Sequence, residues 1–122
     1  MRIASKLDVK EPLRNPLGEV VYPLIGAPEE QGGTEKHSVA VVVIPPGGSS
    51  AAHYHHVAEE TYVILRGTAR MVIDGAGFEL GPGQACLIQP PERHQIFNDG
   101  EGDLEFVAVC APPWVPEDSV FV

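Results

Sequence analysis

Gly47-Gly-Ser-Ser-Ala-Ala-His53-Tyr-His55-His-Val-Ala-Glu-Glu60-Thr-Tyr-Val-Ile-Leu-Arg-Gly67 is the stretch that decides how this chain is read. Two histidines stand at i and i+2, and a carboxylate follows five positions after the second. Side chains alternate between the faces of a β-strand, so His53 and His55 point the same way. Imidazoles and a carboxylate converging on one point form a donor set for a divalent transition metal. His94, which follows the turn residues Gly81-Pro-Gly83 and Pro90-Pro91, completes a candidate set of four: His53, His55, Glu60 and His94.

Outward from that stretch, thirteen Gly and twelve Pro punctuate a chain of 122 residues. Between them lie short runs rich in Val, Ile, Tyr and Phe, at 19–22, 38–44, 61–65, 69–73, 85–88, 94–97 and 104–109. That composition favours strands. Asp74-Gly75-Ala-Gly77 reads as a hairpin turn and Asn98-Asp-Gly-Glu-Gly102 as a second tight loop. No segment carries a long apolar stripe at helical spacing. Many short strands joined by turns predict an all-β sandwich or barrel. The length suits one domain: an N-terminal arm with edge strands at 1–37, a barrel core at 38–110 and a Pro-rich tail at 111–122. The tail is expected either to lie across the barrel or to reach a neighbouring subunit.

Composition narrows the partners. Apolar residues make up 43% and charged residues 20%, the balance of a globular chain. A net charge of −9 argues against nucleic acid and anionic membrane, which both need clustered positive charge. The longest apolar run, 39–44, is far too short to span a bilayer. The N-terminus lacks the apolar centre of a signal peptide, so the expected compartment is the cytoplasm. There Cys86 and Cys110, both in apolar surroundings, are expected as buried reduced thiols.

The spacing resembles the two short motifs of the cupin superfamily. Gly47, His53, His55, Glu60 and Gly67 match the first without a gap, and Gly83, His94 and Asn98 match the second in register. Two positions depart: Gln89 stands where the family has Pro, and Pro91 where it has Gly. The resemblance implies a double-stranded β-helix, or jelly-roll, barrel. It implies His53, His55, Glu60 and His94 as ligands of one divalent transition metal: Fe, Mn, Ni, Co or Zn. It also implies a homodimer, which the apolar tail with Trp114, Val120 and Phe121 fits.

Strand parity agrees. His94, Ile96 and Asn98 share one face, and Glu60, Tyr62 and Ile64 share another. Parity turns Tyr62, Ile64, Met71, Ile73 and Ile96 inward, so Met71 and Ile96 are candidate substrate contacts, against a plain packing role. Tyr62 is a candidate to orient a metal-bound oxygen. His56 belongs either to the surface or to the pocket mouth, where it would be a candidate base. Gln89 and Arg93 are candidates for the opening, Arg93 as a clamp for a carboxylate or phosphate. His37 and Glu59 are expected to be solvated.

The expected function is a small metal-dependent enzyme acting on a small oxygenated substrate. A sugar or uronate isomerase, a lyase and a dioxygenase all fit the ligand set. The alternative is a cupin that binds or senses a small molecule without turning it over.

Overall fold

The computed structural model describes residues 1–122. Eleven strands carry the fold: β1 (Leu13–Arg14), β2 (Val20–Ile25), β3 (Ser38–Ile44), β4 (His53–His55), β5 (Glu59–Arg66), β6 (Ala69–Ile73), β7 (Ala76–Leu80), β8 (Ala85–Ile88), β9 (His94–Phe97), β10 (Leu104–Ala111) and β11 (Ser119–Phe121). The larger sheet runs β1-β2-β3-β10-β5-β8 and the smaller β11-β4-β9-β6-β7. Every strand pairing is antiparallel. This is an all-β barrel, as the strand pattern predicts, and its topology is the jelly-roll that the resemblance implies.

The strands form where alternation lets one face leave water. Glu60, Tyr62 and Ile64 of β5 are buried, and so are His94 and Ile96 of β9 and Leu104 and Phe106 of β10. Val42 pairs across to Phe106 and Ile44 to Leu104, so apolar side chains meet across the ladder. Ten residues from both sheets form one core, among them Ile64, Met71, Ile88 and Ile96. At one end a buried polar knot replaces apolar packing. The Asn98 amide donates to the carbonyls of Ile44 and Gly102, each at 2.8 Å, and so fastens the β9–β10 loop.

Turn chemistry follows the sequence closely. Asp74 and Gly75 both have positive φ, 48° and 84°, in a two-residue hairpin with Ile73 opposite Ala76. Gly67 has φ 86°, and a Cβ there would lie 3.0 Å from the Asp103 carbonyl oxygen.

Two regions are more ordered than their sequence advertises. Within the N-terminal arm, β2 pairs along β3 as an integral strand of the larger sheet. The tail folds back on its own barrel, where β11 pairs with β4. No helix is long and apolar enough to cross a membrane.

Candidate metal centre

The smaller sheet brings the histidines together. His53 on β4 pairs directly with His94 on β9, placing their ring centroids 4.2 Å apart. His55 follows on the same face of β4. The chain then turns into β5, whose second residue, Glu60, is buried. The ligand atoms of His53, His55, Glu60 and His94 all lie within 4.8 Å of one another.

Outer partners fix which nitrogen faces inward. His53 Nδ1 lies 2.9 Å from the Ala51 carbonyl and His94 Nδ1 lies 3.0 Å from the Glu92 carbonyl. A carbonyl only accepts, so each Nδ1 carries the hydrogen and each Nε2 keeps its lone pair. His94 Nε2 then faces Glu60 Oε1 at 3.3 Å, and His55 Nε2 faces the same oxygen at 3.2 Å. A lone pair opposed to a carboxylate oxygen needs a positive species between them, either a cation or a second ring proton. Glu60 has no Lys or Arg beside it; the three such ion pairs of the chain lie elsewhere. A buried carboxylate with three converging imidazoles and no ammonium or guanidinium is a donor set that a divalent cation completes. The ring-to-carbonyl bonds are the outer supports that metal-bound histidines use.

The electrostatics point the same way. Burial, then the neighbouring His94, pulls His53 down to about 4, so its ring is a neutral donor at ordinary pH. Burial works to raise Glu60, but the close approach of the His55 and His94 rings outweighs it and holds the carboxyl well below its usual range. Burial works to lower His55, but the Glu60 contact overrides it and raises the ring. On the far side of the carboxylate, the Cys110 thiol donates to Glu60 Oε2 at 3.0 Å. Burial and the Glu60 charge push that thiol well up, so it stays a donor. Both cysteines are free thiols; Cys110 is buried and Cys86 half-buried.

His53, His55 and Glu60 line a cavity of about 270 Å³. Val21 and Ile25 of β2 and Val42 of β3 give it an apolar wall, and Tyr62 stands beside Glu60. Burial, then the charges of Glu60 and Glu19, pushes the Tyr62 phenol well above its ordinary value, so its hydroxyl keeps its hydrogen.

The other residues singled out from sequence lie elsewhere. Met71 and Ile96 point inward as parity requires, but both are fully buried in the core and neither lines the cavity. They pair with each other two residues along the ladder from the Ile73–His94 pair, on the same face, so they fill the layer beneath the donors. Packing, not substrate contact, is what that position offers. His56 is exposed, its ring 5.5 Å from Tyr54 and away from the cavity. Arg93 is exposed with its guanidinium 5.8 Å from the Tyr54 ring, because alternation next to His94 turns it outward. Gln89 is exposed in the turn before β9, its N–H donating to the Glu92 carboxylate at 2.7 Å. Neither Gln89 nor Arg93 lines the cavity. His37 and Glu59 are exposed.

The cavity also has lining residues that the sequence does not mark for it: Arg14, Asn15, Glu19 and Ser119, together with Trp114 and Phe121, whose expected place is a subunit contact. All arrive from the N-terminal arm or the tail, outside the two motifs. Asn15 and Glu19 are detectable only as an Asx-type turn, Asn-Pro-Leu-Gly-Glu, closing the β1–β2 hairpin.

Comparison with known proteins places this architecture. A family model described as Cupin domain matches residues 40–110. A predicted oxalate decarboxylase of Thermotoga maritima superposes with a TM-score of 0.77 at 27% identity, covering 91% of this chain and 99% of that one. A sugar phosphate isomerase from a cupin superfamily, of Silicibacter pomeroyi, superposes at 0.73 with 20% identity over 90% of this chain and 75% of that one. Among curated sequences, an uncharacterised protein of Methanocaldococcus jannaschii is 36% identical over 62 residues, 51% of this chain and 50% of its own length.

Proposed function

The chain belongs to the cupin domain family, and on that premise we propose that it is a divalent-metal-dependent enzyme of lyase type acting on a small carboxylate. One observation carries this reading: three histidines and a glutamate converge, and His53, His55 and Glu60 of that set line a cavity sized for a small molecule. Lyase chemistry is favoured over isomerase chemistry by the decarboxylase neighbour, which is the more similar of the two and matches almost end to end.

His53, His55, Glu60 and His94 would hold the ion. Bound there, the metal supplies Lewis acidity toward a substrate oxygen. The chain's own residues do the rest. Val21, Ile25 and Val42 exclude water from one side of the cavity. Arg14 is the sole Lys or Arg on the lining and offers a fork to a carboxylate. Tyr62 keeps its hydrogen and can donate it to a substrate oxygen.

The test is a matrix of metals and substrates. Protein loaded with Mn, Fe, Co, Ni or Zn is offered oxalate, 2-keto acids, uronates and sugar phosphates, with product followed by NMR. Turnover of a carboxylate with at least one metal, lost in Glu60→Gln, is the expected result. Ligand-induced stabilisation without product from any pair would select the non-catalytic binding module instead.

A further inference from the structure

Glu19 is a carboxylate that the metal centre does not use. It lines the same cavity as His53, His55 and Glu60 but comes from the N-terminal arm, at the close of the β1–β2 hairpin. Its placement is built. The Asn15 side-chain carbonyl accepts from the N–H groups of Leu17 and Glu19, at 2.8 and 3.2 Å, which shapes the loop. The Asn15 amide then donates to Glu19 Oε1 at 3.0 Å. Glu19 Oε2 makes no hydrogen bond within the chain, yet it is not sealed from solvent. One oxygen is therefore clamped and the other is open.

The surroundings decide which form of that carboxyl is comfortable. Val21 and Ile25 give it an apolar flank on its own strand. The ionisable groups on the same lining are Arg14 from β1, His53 and His55 from β4, Glu60 and Tyr62 from β5, and Cys110 from β10. Burial first, and then the Glu60 charge, raises the Glu19 carboxyl to about 7; a cation on Glu60 would offset the second cause and leave the first. A small carboxylate entering this cavity meets Arg14 as its one guanidinium, and an ionised Glu19 would repel it.

We propose that Glu19 is a second ligand-binding group of the cavity, whose open oxygen carries a hydrogen and donates it in a hydrogen bond to a small carboxylate held beside the metal ligands. This rests on the metal-centre reading above and adds to it a residue, a proton and a ligand class. The proton is drawn from water as the ligand binds. No bond within the ligand changes.

Proton linkage tests this without turnover. Metal content of the Mn-loaded protein is measured first, and again after titration with oxalate by calorimetry. Wild-type affinity is expected to fall about tenfold from pH 8 to pH 9, because binding then requires a proton that Glu19 has lost. Glu19→Gln keeps the acceptor for Asn15 and a permanent donor at the open position, so its affinity is expected to change less than twofold over that interval. Tyr62 and Cys110, both pushed up, keep their hydrogens throughout that range in both proteins. Glu19→Asp retains a carboxyl and is expected to keep the wild-type slope with weaker binding. Equal slopes in wild type and Glu19→Gln overturn the inference while the metal centre stands. So does a metal-loaded protein that binds no oxalate at millimolar concentration. A protein that takes up no metal removes the metal-centre reading first and this inference with it.

Discussion

Cys110 shows how one side chain acts on the centre without being a ligand. Its thiol donates to Glu60 Oε2, leaving Oε1 for the two imidazole contacts. Cys110→Ala removes that donor and frees the carboxylate to rotate. Groups that orient ligands are worth about 10- to 100-fold in metal affinity. We expect Cys110→Ala to bind Zn or Mn about tenfold more weakly in a chelator competition, with its thermal midpoint in chelator only slightly lowered. Unchanged affinity would mean the strand backbone alone holds Glu60. The convergence of the four donors was legible because His53, His55 and Glu60 stand in one motif and His94 in the other. Cys110 was not, because it faces Glu60 only through the β5–β10 register, fifty residues apart. Met71 and Ile96 lie in the core and off the cavity lining, because alternation fixes the face a residue occupies but not its depth along the barrel.

At the level of elements, the turn between β4 and β5 is the part on which the centre most depends. It separates His55 from Glu60 and contains no Gly or Pro to stiffen it. The tail supplies the stiffness. Asp118 accepts from the N–H groups of Val57 and Ala58 through its two oxygens, both at 2.9 Å, and His56 N–H donates to its carbonyl. Beside it, β11 pairs Ser119 with His55 and Phe121 with His53. Hydrogen bonds to a charged group contribute about 1.5–3 kcal/mol each before coupling. Asp118→Ala should therefore lower urea-unfolding stability by about 2 kcal/mol or more. It should also weaken metal binding, since the turn joins two ligands. Asp118→Asn, which keeps one acceptor, is expected to fall between. A variant with lowered stability and wild-type metal affinity would separate the tail from the centre. The strands with strong β composition were readable at nearly their true bounds. β7 was not, because Gly77 and Glu79 disguise an exposed strand that exists through its hairpin with β6. β11 was not, because Pro-rich flanks hide three residues that form a strand only against β4.

Across the whole molecule, the donors are divided between the two sheets. His53, His55 and His94 belong to the smaller sheet, whereas Glu60 belongs to the larger. An ion held by all four would therefore fasten one sheet to the other at the end of the barrel opposite the Asn98 knot. Binding to the folded state alone adds stability in proportion to the logarithm of ligand excess, about 2.7 kcal/mol at a hundredfold over Kd. For a domain of this size that corresponds to a rise of roughly 10 °C in the thermal midpoint. We expect such a rise on adding Mn or Zn to chelator-treated protein, reversed by chelator. Glu60→Gln removes the only donor the larger sheet supplies, so its rise should shrink to a small fraction of the wild-type value even though three imidazoles remain. A full rise in that variant would place the ion on histidines alone, and the sheets would then be joined by their apolar core without help from the metal.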